Sequence, residues 1–145
     1  MVGVGDLAPD FDAKVTGGTR LKLSSLRGAP VVLYFYPEAD TSGCTLESKG
    51  FRDYYTEFRA RKVHVVGVSV DDVEAQEAFA GKYQLPFPLV ADTSKEVATA
   101  YGVLRPSGRA RRVTFLIGPD GKVLEIVDQP AAPVHVDRAR ERFLS

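Results

Sequence analysis

The sequence has one cysteine among 145 residues, so no disulfide can form within the chain. Tryptophan is absent, and Lys+Arg and Asp+Glu both number 19, which leaves no net charge to attract nucleic acid or an anionic membrane. No apolar run approaches the ~20 residues of a membrane-spanning helix, and the N-terminus lacks the pattern of a signal peptide. We therefore expect a cytoplasmic protein without a nucleic-acid or membrane partner, and a free thiol suits a reducing compartment.

The length and the hydrophobic content of 44% are those of one domain, residues 1–145, with a substantial core. Strands are predicted at 11–16, 19–23, 31–35, 63–68, 113–117 and 122–127. Helices are predicted as four turns from Cys44, a segment capped by Asp71 or Asp72, residues 94–101, and a last helix containing Val136, Ala139 and Phe143. This order predicts an α/β fold in which helices flank a central mixed sheet.

The lone Cys44 follows an apolar strand, a turn that contains Pro37, and a possible helix cap at Thr41 or Ser42. The first turn of a helix presents unpaired N–H groups and a partial positive charge, which favour the thiolate form of a sulfur. The helical spacing also places Cys44 on the face of Phe51, which should turn toward the core. Two interpretations follow, a reactive thiolate and a small buried thiol that is inert.

A buried thiolate needs a cation nearby, because Glu47 lies on the same helix face and would repel it. Candidate cations occur between Arg105 and Arg112, just before the predicted strand at 113–117. Neighbouring residues of a strand point to opposite faces, so Arg111 and Arg112 cannot both reach the sulfur. The spacing leaves the choice between them open.

The motif Pro37-x-x-x-Thr41-x-x-Cys44 resembles the active-site signature of the peroxiredoxins, with which all three specified residues and their spacing agree. The surroundings resemble the PrxQ subfamily, also called bacterioferritin comigratory protein. The supporting segments are Gly5-Asp6-x-Ala8-Pro9-Asp10-Phe11, Phe35-Tyr36-Pro37, Gly43-Cys44-Thr45-x-Glu47, Phe51-Arg52-Asp53, Phe87-Pro88-Leu89, Ala100-Tyr101-Gly102-Val103 and Arg112-x-Thr114-Phe115-Leu116-Ile117. The resemblance implies a thioredoxin-like fold and a thiol peroxidase that needs no metal or other cofactor.

The resemblance also implies a role for each site residue. Cys44 would be the nucleophile that attacks the peroxide and becomes a sulfenic acid. Thr41 would orient the peroxide and thiolate, and Arg112, by its match to the family segment, would favour the thiolate and polarise the O–O bond. Pro37 would shield the sulfur from water and overoxidation, and Glu47 would hold the arginine in place.

One position departs from the family pattern. Many PrxQ relatives carry a resolving cysteine five residues after the peroxidatic one, where this chain has Lys49, which we interpret as a solvated helix residue. The resemblance therefore implies a one-cysteine cycle with an external thiol reductant, which could be thioredoxin, glutaredoxin or a low-molecular-weight thiol. His64 and His135 do not have the spacing of metal ligands, and a monomer is expected.

Two other functions fit the lone thiol. A redox sensor would be oxidised once at Cys44 and then bind a partner differently, and the lack of a resolving cysteine is compatible with this. A thioredoxin-fold binding module would carry Cys44 as an inert core residue. Turnover with an added thiol reductant distinguishes a peroxidase from both.

Overall fold

The computed structural model describes all 145 residues as one seven-stranded mixed sheet with helices on both faces. The strands are β1 (Asp12–Val15), β2 (Thr19–Lys22), β3 (Val31–Phe35), β4 (His64–Ser69), β5 (Leu89–Ala91), β6 (Val113–Ile117) and β7 (Val123–Asp128). The helices are α1 (Ser42–Asp53), α2 (Tyr55–Ala60), α3 (Val73–Tyr83), α4 (Glu96–Tyr101) and α5 (Ala132–Phe143), and a 3₁₀ turn covers Leu23–Leu26. The predicted α/β class, with helices around a mixed sheet, is confirmed.

The strand order is β2-β1-β5-β4-β3-β6-β7. The central strands β3, β4 and β5 run parallel to one another, whereas the pairs on either side of them are antiparallel. Parallel strands need long crossovers, which α1 with α2 and then α3 supply. Residues Val31 to Phe35 of β3 are all buried, as expected of a strand that is covered on both faces.

Alternation along β3 divides the core into two halves. Val31, Leu33 and Phe35 point to the half that is closed by α4. Val32 and Tyr34 point to the other half, where Cys44 and other residues of α1, α3 and α5 pack. The lone cysteine thus lies under the sheet face that carries the larger helices.

Two predicted helices differ from the observed ones, and one observed strand was not predicted. The four-turn helix from Cys44 is interrupted at Tyr54, whose backbone (φ −103°, ψ 7°) ends α1 before α2 begins. The helix predicted at 94–101 begins at Glu96, after Lys95 in the left-handed conformation. Strand β5 was not predicted; its three residues are held by pairing to β4 and β1 rather than by any local pattern.

Asp72 caps α3, since its carboxylate accepts a hydrogen bond from the backbone N–H of Ala75. Of the two aspartates proposed as the cap, the second therefore takes that position. No helix of this structure is both long and apolar enough to cross a membrane.

Candidate active site

Cys44 is the third residue of α1, which begins directly after the loop that leaves β3. Thr41 is the N-cap in an extended conformation, and its carbonyl accepts the first helical hydrogen bond, from Thr45. The N–H groups of the residues between them have no partner within the helix, and they add to the positive end of the helix dipole. An anion on the Cys44 sulfur is favoured at this position.

The sulfur is also deeply buried, since Cys44 is 1% exposed. It packs in the same core half as Tyr34, Tyr36 and Phe51, so the helix face predicted from the spacing is confirmed. An apolar environment disfavours a charged sulfur unless a positive group compensates it. The helix terminus alone is a partial charge, and the full charge comes from an arginine.

Arg112 bridges Cys44 and Glu47. Its Nη2 donates to Cys44 Sγ at 3.4 Å, and its Nη1 donates to Glu47 Oε1 at 2.7 Å. The pairing of Phe35 with Val113 in the sheet brings Arg112 beside the end of β3, from which the chain runs to α1. These three residues of the predicted site are therefore in direct contact.

Arg111 points the other way, as alternation along an extended chain requires. Its guanidinium pairs with Asp128, the last residue of the edge strand β7, and both side chains are more than one-third exposed. Of the two arginines between which spacing could not decide, Arg112 is the one that contacts Cys44 Sγ.

Glu47 follows Cys44 by three residues and is fully buried. Its Oε1 accepts the hydrogen bond from Arg112, but its Oε2 has no hydrogen-bond donor. Burial raises the pKa of Glu47 to about 8, although the charge and hydrogen bond of Arg112 work in the opposite direction. The carboxyl group therefore has a strong tendency to keep a proton.

His135 on α5 completes this buried cluster, and no pattern in the sequence indicated it. Its Nε2 lies 2.7 Å from the carbonyl oxygen of Gln129, and its Nδ1 lies 2.7 Å from Thr114 Oγ1. The same Nδ1 is 3.5 Å from Glu47 Oε2. Burial lowers the pKa of His135, and the charge of Arg112 acts in the same direction.

Thr41 differs in detail from the expectation. Its hydroxyl does not cap the helix but donates to the carbonyl oxygen of Glu38 at 2.9 Å. The hydroxyl oxygen keeps its lone pairs for another donor. Pro37 lies half-buried at the other end of the same loop.

Contacts with the rest of the fold hold this loop in place. Asp40 has a positive φ of 59°, which costs energy for a residue other than glycine, and its carboxylate accepts from Lys82 and Tyr83 of α3. The Ala39 N–H donates to Asp71 at 2.8 Å. The conformation of the loop before Cys44 is thus fixed by contacts within the protein.

Lys49 is exposed on α1, with its Nζ 6.0 Å from the centre of the Tyr83 ring. It lines an open groove of roughly 520 Å³ with Asp40, Ser42, Thr45, Leu46, Lys82 and Tyr83. No second cysteine exists to occupy this position or any other.

A buried thiol at a helix start, with an arginine on the sulfur, is typical of one class of protein, the thiol-dependent redox enzymes. The comparisons with known proteins agree. The model of the AhpC/TSA family matches residues 4–126, and the chain belongs to that family. Its bacterial relatives include peroxiredoxins of the PrxQ or bacterioferritin comigratory type, so the resemblance found in the sequence is confirmed, together with the thiol-peroxidase class.

A Coxiella burnetii protein, "Putative peroxiredoxin bcp", is 38% identical over 142 residues, which cover 93% of this chain and 94% of that protein. The crystal structure of peroxidoxin BcpB from Mycobacterium tuberculosis has a TM-score of 0.91 at 37% identity and covers 97% of this chain and 96% of that one. A structure of the Xanthomonas campestris bacterioferritin comigratory protein has a TM-score of 0.87 at 29% identity, covering 92% and 90%. These full-length matches confirm the thioredoxin-like fold.

Proposed function

We propose that this chain reduces hydrogen peroxide and organic hydroperoxides at Cys44 and that an external thiol regenerates the enzyme. The observation that carries the proposal is the guanidinium of Arg112, which donates to Cys44 Sγ in a buried pocket at the start of α1. A full positive charge at a helix N-terminus stabilises a thiolate and the negative charge that develops on a departing oxygen.

In the first step, the Cys44 thiolate attacks one oxygen of the hydroperoxide. The S–O bond forms as the O–O bond breaks, so the sulfur is oxidised to a sulfenic acid and the peroxide is reduced. The electron pair of the O–O bond leaves on the second oxygen, which takes a proton and departs as water or an alcohol. Arg112 stabilises the charge on the sulfur before the attack and on the leaving oxygen during it.

Thr41 and Pro37 prepare the pocket for this step. Because the Thr41 hydroxyl gives its own hydrogen to the Glu38 carbonyl, its oxygen is free to accept a hydrogen bond from the peroxide O–H. Pro37 contributes an apolar wall that limits access of water to the sulfur and so limits overoxidation. Glu47 fixes the guanidinium through the bond at 2.7 Å.

The second step uses thiols that the chain does not contain. One external thiol attacks the sulfenic sulfur, giving a mixed disulfide and water, and a second thiol releases Cys44 as the free thiol. Cys44 is 1% exposed, so a protein such as thioredoxin or glutaredoxin cannot reach it while the first turn of α1 is intact. Opening of that turn, or use of a low-molecular-weight thiol, meets this requirement, and Lys49 takes no part in the chemistry.

Organic hydroperoxides are included because alkyl peroxide reduction activity is attributed to the Xanthomonas campestris relative. We propose in addition that the chain acts in the cytoplasm as a monomer made of one domain, residues 1–145. A reducing compartment would supply the external thiols that the cycle needs.

The test is turnover in the presence of an added thiol. Peroxide consumption should continue over many cycles when excess dithiothreitol is supplied, and Cys44→Ser should abolish it. A sensor would consume one equivalent of peroxide and then stop, and an inert binding module would consume none. Either of these two results would overturn the proposal.

A further inference from the structure

Behind Arg112, the site continues into a buried group of polar atoms that the proposed peroxidase cycle does not use. Glu47 and His135 are both fully buried and belong to elements that pack against each other, α1 and α5. Glu47 Oε2 has no hydrogen-bond donor, and the nitrogen of His135 that faces it is 3.5 Å away. A buried carboxylate oxygen without a donor carries the full penalty of desolvation, so the arrangement calls for a proton.

The hydrogen bonds of His135 determine which of its nitrogens can carry hydrogen. The Gln129 carbonyl oxygen can only accept, so Nε2 must donate to it. In a neutral ring Nδ1 is then an acceptor, and the Thr114 hydroxyl can donate to it at 2.7 Å. The Oε2 atom of an ionised Glu47 would therefore direct its lone pairs at the lone pair of His135 Nδ1, and a proton on Oε2 removes this repulsion.

The balance of charge in the pocket leads to the same protonation state. A thiolate at Cys44 and a carboxylate at Glu47 would compete for the single positive charge of Arg112, because both contact its guanidinium. The other polar or charged groups nearby are the phenol of Tyr34 and the carboxylate of Asp128, which is already paired with Arg111. A neutral Glu47 and a neutral His135 leave one cation and one anion in the pocket, at the lowest cost of burying charge.

Resting on the proposed peroxidase function, we infer that His135 is a positioning residue that keeps Glu47 uncharged: its neutral Nδ1 turns a lone pair and no N–H toward Oε2, which disfavours the carboxylate, so a protonated Glu47 holds Arg112 without neutralising it. The guanidinium then keeps its whole charge for the sulfur and the peroxide. The directions of the two pKa shifts, upward for Glu47 and downward for His135, agree with this geometry.

A consequence is that alkaline pH should weaken the site. When Glu47 ionises near pH 8, its charge competes with the Cys44 thiolate for Arg112. In the wild type we expect the second-order rate constant with hydrogen peroxide to fall by about tenfold between pH 7 and pH 9.5. The cause is the Coulomb energy of one negative charge added beside the guanidinium that the Cys44 thiolate contacts. Glu47→Gln cannot ionise, so this fall should be absent from its pH profile.

The decisive variant is His135→Gln, because a side-chain amide can donate to Oε2 and stabilise an ionised Glu47. The pH at which the thiolate forms, followed by absorbance near 240 nm, should rise, and the rate constant at pH 7 should fall about tenfold. In the Glu47→Gln background, the same change at His135 should have little further effect. His64→Gln is the matched control, since it removes the other histidine, which is exposed on β4, and should leave both readouts unchanged.

An effect of His135→Gln that is equally large in the Glu47→Gln background would overturn the inference, because His135 would then act on the fold alone. If His135→Gln does not fold, nitrogen NMR of the wild type decides the question. The inference requires a neutral ring at pH 7 with hydrogen on Nε2, and an imidazolium at His135 would refute it. Thiolate absorbance and NMR do not depend on peroxide turnover, so this test can fail or succeed separately from the proposed function.

Discussion

Gly43 offers a way to move Arg112 without removing any charged or reactive group. A Cβ atom added to Gly43 would lie 2.8 Å from Arg112 Nη2 and 3.6 Å from its Cζ. Ordinary contact begins at 3.4 Å, so the guanidinium must move by about 0.6 Å in Gly43→Ala. The clash falls on the end of a flexible side chain, and the backbone of α1 can stay where it is.

The expected result is a loss of activity without a loss of stability. A misplacement of ~1 Å can cost about a hundredfold in rate, so a shift of this size should slow the reaction with hydrogen peroxide by at least about tenfold, or ~1.4 kcal/mol. Alanine is a better helix former than glycine by up to ~1 kcal/mol, so the free energy of unfolding should not fall.

The assay is stopped-flow measurement of the second-order rate constant at pH 7, with urea unfolding of the same samples. Gly81→Ala is the matched control, because Gly81 also lies in a helix, α3, and an added Cβ there has no neighbour within 4 Å. A Gly43→Ala variant that folds and reacts at the wild-type rate would refute the placement of Arg112 on the sulfur.

Two further predictions concern stability. A Cβ on Gly67 of β4 would lie 2.8 Å from Leu89 Cδ2 and 2.9 Å from the Tyr34 ring, and both side chains are fully buried. Gly67→Ala should therefore lower the free energy of unfolding in urea by about 1–3 kcal/mol. An unchanged value would contradict the close approach of these side chains to Gly67. Burial raises the pKa of Glu47 from 4.5 in the unfolded chain to about 8, so between pH 4.5 and pH 8 the folded protein binds one proton that the unfolded chain has lost. The free energy of unfolding should therefore fall as the pH rises from 4.5 to 8, by up to ~1.4 kcal/mol per pH unit. When unfolding free energies are compared at pH 5 and pH 8, Glu47→Gln should remove this loss of stability, and the control Glu74→Gln, at an exposed residue, should not. An equal pH dependence in the wild type and Glu47→Gln would mean that Glu47 is ionised throughout and would contradict the prediction.

Much of the fold could be predicted because its patterns are local. The run Val31–Phe35 is apolar at every residue, and the hairpin of β6 and β7 has a clear turn between its strands. Strand β5 could not be found this way, since three residues carry no periodicity. Its pairing partners, Val15 and residues 67–69, are distant in the sequence.

The end of α1 at Tyr54 also lacked a local sign, because no glycine or proline marks it. Contacts from distant residues surround the break: Arg52 donates to the backbone carbonyl of Tyr83, and the Arg140 guanidinium lies 3.9 Å from the centre of the Tyr54 ring. Such contacts with α3 and α5 exist only after folding.

Part of the candidate site could likewise be predicted from local spacing, and part of it could not. Cys44 and Glu47 are one helical turn apart, so their shared face could be predicted from spacing, and the family motif added Arg112. His135 belongs to a helix at the other end of the chain and approaches Glu47 only because α5 packs on α1. No sequence motif around His135 predicts its contact with Glu47.

The central claim is that the pocket activates a peroxide at Cys44, and it is tested by comparing two rates for the reduced protein. One is the rate of Cys44 with hydrogen peroxide and the other its rate with a small alkylating reagent such as iodoacetamide, with Cys44→Ser as the blank. Alkylation reports thiolate content and access, whereas the stabilisation of the departing oxygen by Arg112 should accelerate only the reaction that breaks an O–O bond. We predict that peroxide is strongly preferred over what thiolate content alone allows. Similar, slow rates with both reagents would mean that Cys44 is an ordinary thiol and would contradict the account.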